Sequence, residues 1–189
     1  MLVGLDIDVD ALSLARERLP RAELIQADLL TWTPLDRLRR GAELVIAGGD
    51  LLPLFTEASD LERLFAQAAT LLSPGGIFGI DATLIDADLL SEAASDSAWS
   101  EDVRWTSEEA GEVRRESRLL PDPAGRAGHA QLQVRHWHAG DAIPDQREPF
   151  AIRAWEPAEL ERIAESVGLH LHQRVSADRL RWLLRSTHV

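Results

Sequence analysis

The sequence predicts an α/β fold on a mostly parallel sheet, with an antiparallel strand pair at its C-terminal end and an antiparallel β insertion before it. Three observations carry this. Short apolar runs alternate with amphipathic segments from residue 2 to residue 82, as parallel strands and their right-handed crossover helices require. Two strand-like runs, 113–120 and 129–138, flank the turn-rich Pro121-Asp122-Pro123-Ala124-Gly125 and read as a hairpin. Runs 169–175 and 180–185 close the chain as a pair of strands. At 189 residues a single domain is expected, made of 1–85, a helix, loop and hairpin cover over 86–150, and a strand-helix-strands unit over 151–189.

Each element has a local reason. Leu2-Val3-Gly4-Leu5 is a strand that ends in Asp6. Asp8 is placed to cap the next helix, whose Leu12, Ala15 and Leu19 share one face and which Pro20 stops. Residues 22–26 form a second strand, closed by Ala27-Asp28-Leu29. A loop and short arginine-ended helix over 31–40 lead to Gly41. Residues 43–47 then make a third buried strand running into Gly48-Gly49-Asp50. Leu61, Leu64, Phe65, Ala68 and Leu71 mark an amphipathic helix, Ser73-Pro74-Gly75-Gly76 a tight stop, and 77–82 a fourth strand. Residues 86–101 read as helix and loop, 139–149 as a polar loop and 150–155 as a strand. Pro157 opens a helix carrying Leu160, Ile163, Ala164 and Val167, which Gly168 ends.

Composition excludes several classes of function. The net charge of −12 repels phosphate backbones, so nucleic acid is not an expected partner. No cysteine is present, which removes disulfides, thiolate metal sites and thiol nucleophiles. The basic residues are all arginine, which removes lysine Schiff-base chemistry. No apolar run approaches the ~20 residues that span a bilayer. Asp6, Asp8 and Asp10 interrupt any signal-peptide core, so the expected location is cytoplasmic, with no membrane partner.

The acids at the strand ends are the informative residues. Ligands of open α/β sheets sit outside the carboxyl ends of the strands. Asp6 there can take both hydroxyls of a ribose, and Asp28 can hold an adenine amino group. The plain alternatives are a strand-end acid at Asp6 and a helix cap at Asp28. Asp50 follows a glycine turn and is a candidate base. Trp137 and Trp155 are candidates for an aromatic wall around an amine or sulfonium substrate, against the commoner reading as core residues. His136 and His138, and His170 and His172, each share a strand face, yet no third ligand completes either pair, so no metal site is expected. His138 is a second catalytic candidate, on a hairpin that can cover the crevice.

Together VGLDIDVDALSLARERL, AELIQADL, ELVIAGGDLLPLF, LLSPGGIFGIDA and AWEPAELERIAESVGL resemble a class I S-adenosylmethionine-dependent methyltransferase, in that family's order and over nearly the whole chain. LLSPGG before a strand is the most specific piece. The resemblance implies a Rossmann-like sheet, S-adenosylmethionine as cofactor, and transfer of its methyl group to a small-molecule N or O acceptor. Carried over by residue, Asp6 binds the ribose hydroxyls, Ile7 packs on the adenine, and Asp28 accepts from its amino group between Ala27 and Leu29. Ala47, Gly48 and Gly49 line the methionine side. GGDLL after the third strand is similar to a glycine N-methyltransferase branch, where Asn-Ser more usually follows the glycine, so Asp50 and Leu51 depart from it.

The family's first motif, a strand and an acid-x-Gly-x-Gly loop, has no counterpart in the five residues before Asp6. The expectation is a sheet without its first strand and with open strand edges, the missing piece lying upstream of Met1. The alternative is a non-catalytic remnant or partner subunit that associates through those edges. Self-association is left open on the same ground.

Overall fold

The computed structural model of the chain describes residues 1–83, 85–107, 111–174 and 180–186. Strand β1, Val3–Asp6, is followed by Asp8, whose Oδ1 accepts the backbone N–H groups of Asp10 (2.8 Å) and Ala11 (3.3 Å). These are donors that a helix start otherwise leaves unpaired. Helix α1, Val9–Arg18, carries Arg16 and Arg18 in its last turn, complementing the negative end of its dipole. Strand β2, Glu23–Gln26, pairs parallel with β1 from Val3↔Glu23 to Asp6↔Gln26. Of the predicted stripe on α1 only Leu12 is buried, and Leu19 is an exposed cap residue. The helix has just a two-stranded sheet to lie on.

Strand β3, Ala42–Ala47, helix α2, Ala58–Leu71, and strand β4, Leu72–Ala82, form the next crossover. The insertion holds helix α3, Ala87–Asp96, and strands β5, Ser100–Ser107, β6, Gly111–Pro121, β7, His129–His138, β8, Asp145–Gln146, and β9, Phe150–Arg153. Helix α4, Pro157–Ser166, and strands β10, Leu169–Arg174, and β11, Leu180–Ser186, end the fold.

The second sheet has the order β10-β11-β4-β3, with β3 parallel to β4 and β11 antiparallel to both neighbours. Val175, in the last predicted pair, lies outside the described residues. Phe65 and Leu61 of α2, Leu160 of α4, Phe78, Leu169 and Leu184 fill the core on one face. Phe65 and Phe78 meet edge-to-face at 5.5 Å. The third sheet, β5-β6-β7-β8 with β9 also on β7, is antiparallel. Its hairpin register runs from Val113↔His138 to Pro121↔Ala130, as the turn-rich linker predicts.

The structure departs from the sequence reading in three places. The strand over 43–47 was expected to be buried, but Leu44 is 55% and Ile46 68% exposed. Strand β3 is an edge strand, and α2 and α4 cover only the face that Val45 and Ala47 share. An apolar run that reads as covered on both faces is here covered on one. Second, Ser73 to Gly76 is not a stop before β4 but lies inside it. The register steps from Ala42↔Leu72 to Leu44↔Ile77, so the extra residues bulge out. A Cβ on Gly76 would stand 2.9 Å from the carbonyl oxygens of Ala42 and Ser73, so only glycine fits. Third, residues 100–101, read as loop, begin β5. That strand is tied to β6 by charge: Arg104 bridges Glu101 and Glu112, and Arg115 faces Asp102. Apolar alternation, the signal used to find strands, is weak there.

The outer face of the β6–β7 hairpin is also polar yet well packed. Glu116 is buried and accepts from Arg135 Nε (2.5 Å) and Trp137 Nε1 (2.9 Å), with Arg114 Nε at 3.2 Å. Arg135 also lies over Trp99 (4.0 Å) and Trp137 (5.3 Å). Burial pushes the Glu116 carboxyl up, but the Trp137 and Arg135 donors and the arginine charges outweigh it and hold it below the ordinary carboxylate value.

Candidate cofactor site

The two strand-end acids stand side by side. Asp6 pairs with Gln26, and its carbonyl oxygen accepts the N–H of Ala27 at 3.0 Å. Asp6 Oδ1 accepts the N–H of Asp8 (2.9 Å), and Asp28 Oδ1 accepts that of Leu30 (2.8 Å). Each acid therefore shapes its own turn with one oxygen. Among the described residues Oδ2 of neither carboxylate is hydrogen-bonded, which leaves an acceptor on each for a diol or an amine. Ile7 follows Asp6 and is 66% exposed, a bare apolar surface next to a carboxylate. Gln26 Nε2 donates to the Ile7 carbonyl at 3.3 Å and fixes that turn. These groups fit the nucleoside half of S-adenosylmethionine: an anion to accept from ribose hydroxyls, an apolar shelf for a base, and a second anion to accept from an exocyclic amine.

The turn after β2 is what joins this unit to the second sheet. Leu29 and Leu30 pack against the main core, and Gln67 Nε2 of α2 donates to the Trp32 carbonyl at 2.9 Å. Arg37 forms an ion pair with Glu23. Ala27, Asp28 and Leu29 are thus held by packing on their C-terminal side and by Asp6 on the other.

At the end of β3, buried Ala47 leads into Gly48, Gly49 (φ 73°) and Asp50 (φ 60°). Successive left-handed residues reverse the chain sharply, and Gly49 adopts this without strain. Asp50 is stabilised differently, since its Oδ1 accepts the N–H of Thr83, just past β4, at 2.5 Å. Asp50 therefore pins the loop after β3 to the end of β4.

The remaining candidates lie apart. Trp155 is 5% exposed, and its Nε1 donates to the carbonyls of Leu52 (3.1 Å) and Phe55 (3.0 Å). Trp137 is engaged with Glu116 on the hairpin. The two tryptophans do not form a common wall, because the chain commits one to the core and the other to the third sheet. His138 lies at the far end of β7. It is His129, at the near end, that reaches Thr56, with Nε2 3.4 Å from its carbonyl oxygen. Nine residue steps of extended strand, about 30 Å, separate the two. Burial and the Arg115 and Arg147 charges hold the His136 imidazole below its ordinary value. In β10 a register irregularity falls between Leu171 and Gln173, at His172. Among the described residues no three metal-ligating side chains come together.

Sequence reasoning missed Arg126, His129 and Arg153. Arg126 bonds Asp122 and Glu57, and Arg153 bonds Glu159 and Thr56. The Arg126 donors, side chain before backbone, hold Asp122 well below its ordinary value, at about 2. Nothing in the sequence signals the links to Glu57 and Thr56, which lie 69 and 97 residues away along the chain.

A parallel β-α-β unit ending in two acids, beside a sheet whose last two strands turn antiparallel, is the Rossmann-like arrangement of the methyltransferases. The comparisons agree. A trans-aconitate 2-methyltransferase of Rhizobium leguminosarum bv. trifolii (strain WSM2304) is 33% identical over 144 residues, 71% of this chain. The chain spans half or less of the length of the curated relatives it matches, 50% of that one and 28% of the protein of the same name from Paracidovorax citrulli (strain AAC00-1), which is 37% identical over 79 residues, 42% of this chain. Among solved structures, an S-adenosylmethionine-dependent methyltransferase from Clostridium acetobutylicum ATCC 824 superposes with a TM-score of 0.73 at 13% identity, over 98% of this chain and 75% of its own. An amino pentose methyltransferase from Micromonospora echinaspora, with S-adenosylmethionine bound, gives 0.67 at 17% identity, over 98% and 73%. No protein-family model matches the chain. The chain carries the fold of the class I S-adenosylmethionine-dependent methyltransferases, and S-adenosylmethionine is the cofactor that goes with it. No described helix is long and apolar enough to cross a membrane.

Proposed function

We propose that the chain binds S-adenosylmethionine through its nucleoside at Asp6, Ile7 and Asp28, and serves transfer of the methyl group to a small-molecule N or O nucleophile. The observation that carries this is the pair of adjacent strand-end carboxylates, each with one oxygen left over and with Ile7 exposed beside them. Asp6 takes the ribose hydroxyls and Ile7 supports the base. Asp28 accepts from the amino group, with Ala27 and Leu29 flanking it. Ala47, Gly48 and Gly49 offer backbone to the methionine half, where the lack of Cβ atoms permits close approach.

When bound, the cofactor supplies an electrophilic methyl carbon on a sulfonium. That carbon would be open to in-line displacement by the acceptor's lone pair, with the electron pair of the carbon–sulfur bond left on sulfur, while Asp6, Ile7 and Asp28 would hold the nucleoside. The protein's task is alignment and exclusion of water. No side chain is assigned as base: Asp50 holds the Thr83 backbone, and His138 stands at the far end of the hairpin. The relatives named for trans-aconitate favour a small carboxylic acid as acceptor, and the amino pentose enzyme favours a sugar amine. Both are small molecules, in keeping with an acidic chain.

Isothermal titration with S-adenosylmethionine tests the proposal. A saturable heat with one site per chain supports it, and no heat on a folded sample ends it. Product formation with panels of carboxylic acids and amines then sorts the acceptor.

A further inference from the structure

Four side chains, from the β6–β7 hairpin, from β9 and from the segment just after it, grip the loop that leaves β3. Trp155 Nε1 holds the carbonyls of Leu52 and Phe55, Arg153 Nη1 that of Thr56 at 3.4 Å, His129 Nε2 lies at 3.4 Å from the same oxygen, and Arg126 Nη1 reaches Glu57 at 3.2 Å. Three of the four side chains end on backbone oxygens. The side chain fixes where the loop lies and makes no demand on which residue the loop carries. The other end of the same loop, at Asp50, is pinned to Thr83.

Arg153 is the keystone of this grip. Its Nη2 donates to both carboxylate oxygens of Glu159 in α4 (2.8 and 2.9 Å), its Nη1 donates to Thr56, and its guanidinium lies 3.6 Å from the Trp155 ring centroid. One planar group thus ties β9, α4 and the loop together, with Nη2 shared between the two Glu159 oxygens, Nη1 on Thr56 and the guanidinium against the indole ring. Arg153 and Trp155 also line a small recess with Leu52, Pro53, Ala82, Thr83 and Ile85, directly beside the Thr83 that Asp50 holds.

Resting on the cofactor reading above, we infer that Arg153 is a positioning residue. Through Trp155 and Thr56 it sets the placement of the Gly48–Gly49 turn, and so controls grip on the methionine half of the cofactor while leaving the nucleoside half untouched. Asp6 ends β1 and Asp28 lies two residues past β2, beside a separate two-stranded sheet, and among the described residues neither shares a hydrogen bond with the brace.

The test compares two ligands that share a nucleoside. S-Adenosylhomocysteine carries the amino-acid chain, and 5′-methylthioadenosine lacks it. In Arg153→Gln the affinity for S-adenosylhomocysteine falls by roughly tenfold, about 1.4 kcal/mol, while 5′-methylthioadenosine binds within about twofold of wild type. Arg153→Lys, which keeps the charge without the planar group whose two nitrogens serve Thr56 and Glu159 separately, sits nearer to Arg153→Gln than to wild type. Parallel loss of both ligands means a general structural defect and overturns the inference, as does no change in either. Should Arg153→Gln fail to fold, Glu159→Gln removes the charged bidentate partner and carries the same split at smaller size. Wild-type protein that binds neither compound removes the cofactor site itself, and the inference with it.

Discussion

Replacing Trp155 by Phe separates a loop anchor from a substrate wall. The indole N–H serves two carbonyls, Leu52 at 3.1 Å and Phe55 at 3.0 Å, from a side chain that is 5% exposed. Phe keeps an aromatic ring but removes the only hydrogen-bonding atom of the side chain. Leaving buried carbonyls without that donor costs about 1–3 kcal/mol, and the smaller ring loses packing worth roughly 1 kcal/mol more. A total of about 2–4 kcal/mol is expected. With an unfolding entropy of about 2.1 cal/mol/K per residue, a chain of 189 residues should lose about 5–10 °C in Tm. Thermal melting followed by far-ultraviolet circular dichroism measures that shift, and urea titration measures the free-energy loss through a lower midpoint at unchanged slope. A variant with wild-type stability but lost ligand binding would refute the anchor and restore Trp155 as part of a binding wall.

Three further outcomes follow from the structure. Glu116→Gln leaves Arg114 and Arg135 without their shared anion at a mostly buried position, and chemical denaturation should show a loss of about 2 kcal/mol; an unchanged midpoint contradicts the network. Gly76→Ala forces a Cβ to 2.9 Å from two backbone oxygens and should cost at least about 2 kcal/mol, whereas Gly75→Ala meets open space and pays only for its φ of 75°, about 1 kcal/mol; equal effects would mean that the bulge in β4 is misplaced. Because His136 has a lowered folded value, the unfolded chain binds more protons as pH falls below about 6.5, so stability drops with acid there; His136→Gln should flatten that limb of a pH-melting series, and an identical profile in the variant tells against it.

The elements legible in the sequence are those built from local signals. Asp8 caps its helix as read, Pro157 opens α4 and Gly168 ends it, and the Pro121-to-Gly125 linker turns the hairpin. The acids of the candidate site were legible as strand-end residues, because the apolar runs that aim them are short and clearly bounded. What was not legible is non-local. Strand β5 is held to β6 by Arg104 on Glu112 and by Arg115 on Asp102, pairings that appear only once the register is known. The bulge at Gly76 follows from the Ala42 carbonyl, 34 residues earlier. The exposure of Leu44 and Ile46 depends on which helices lie over β3, and the apolar pattern of that strand is the same whether it is covered or bare. Trp155 shows the limit most clearly, since an aromatic beside the site and an aromatic holding the site's loop look identical in sequence.

The claim that the β1–β2 acids form the nucleoside site is tested most directly by the affinity of 5′-methylthioadenosine for Asp6→Asn and Asp28→Asn, measured calorimetrically beside wild type. Each substitution keeps the shape of the turn and weakens the acceptor, and Asp6→Asn should cost roughly tenfold to a hundredfold as a charged hydrogen bond to the ribose is lost. Binding by both variants at wild-type affinity, with their melting temperatures unchanged, would show that these carboxylates do no more than shape their own turns.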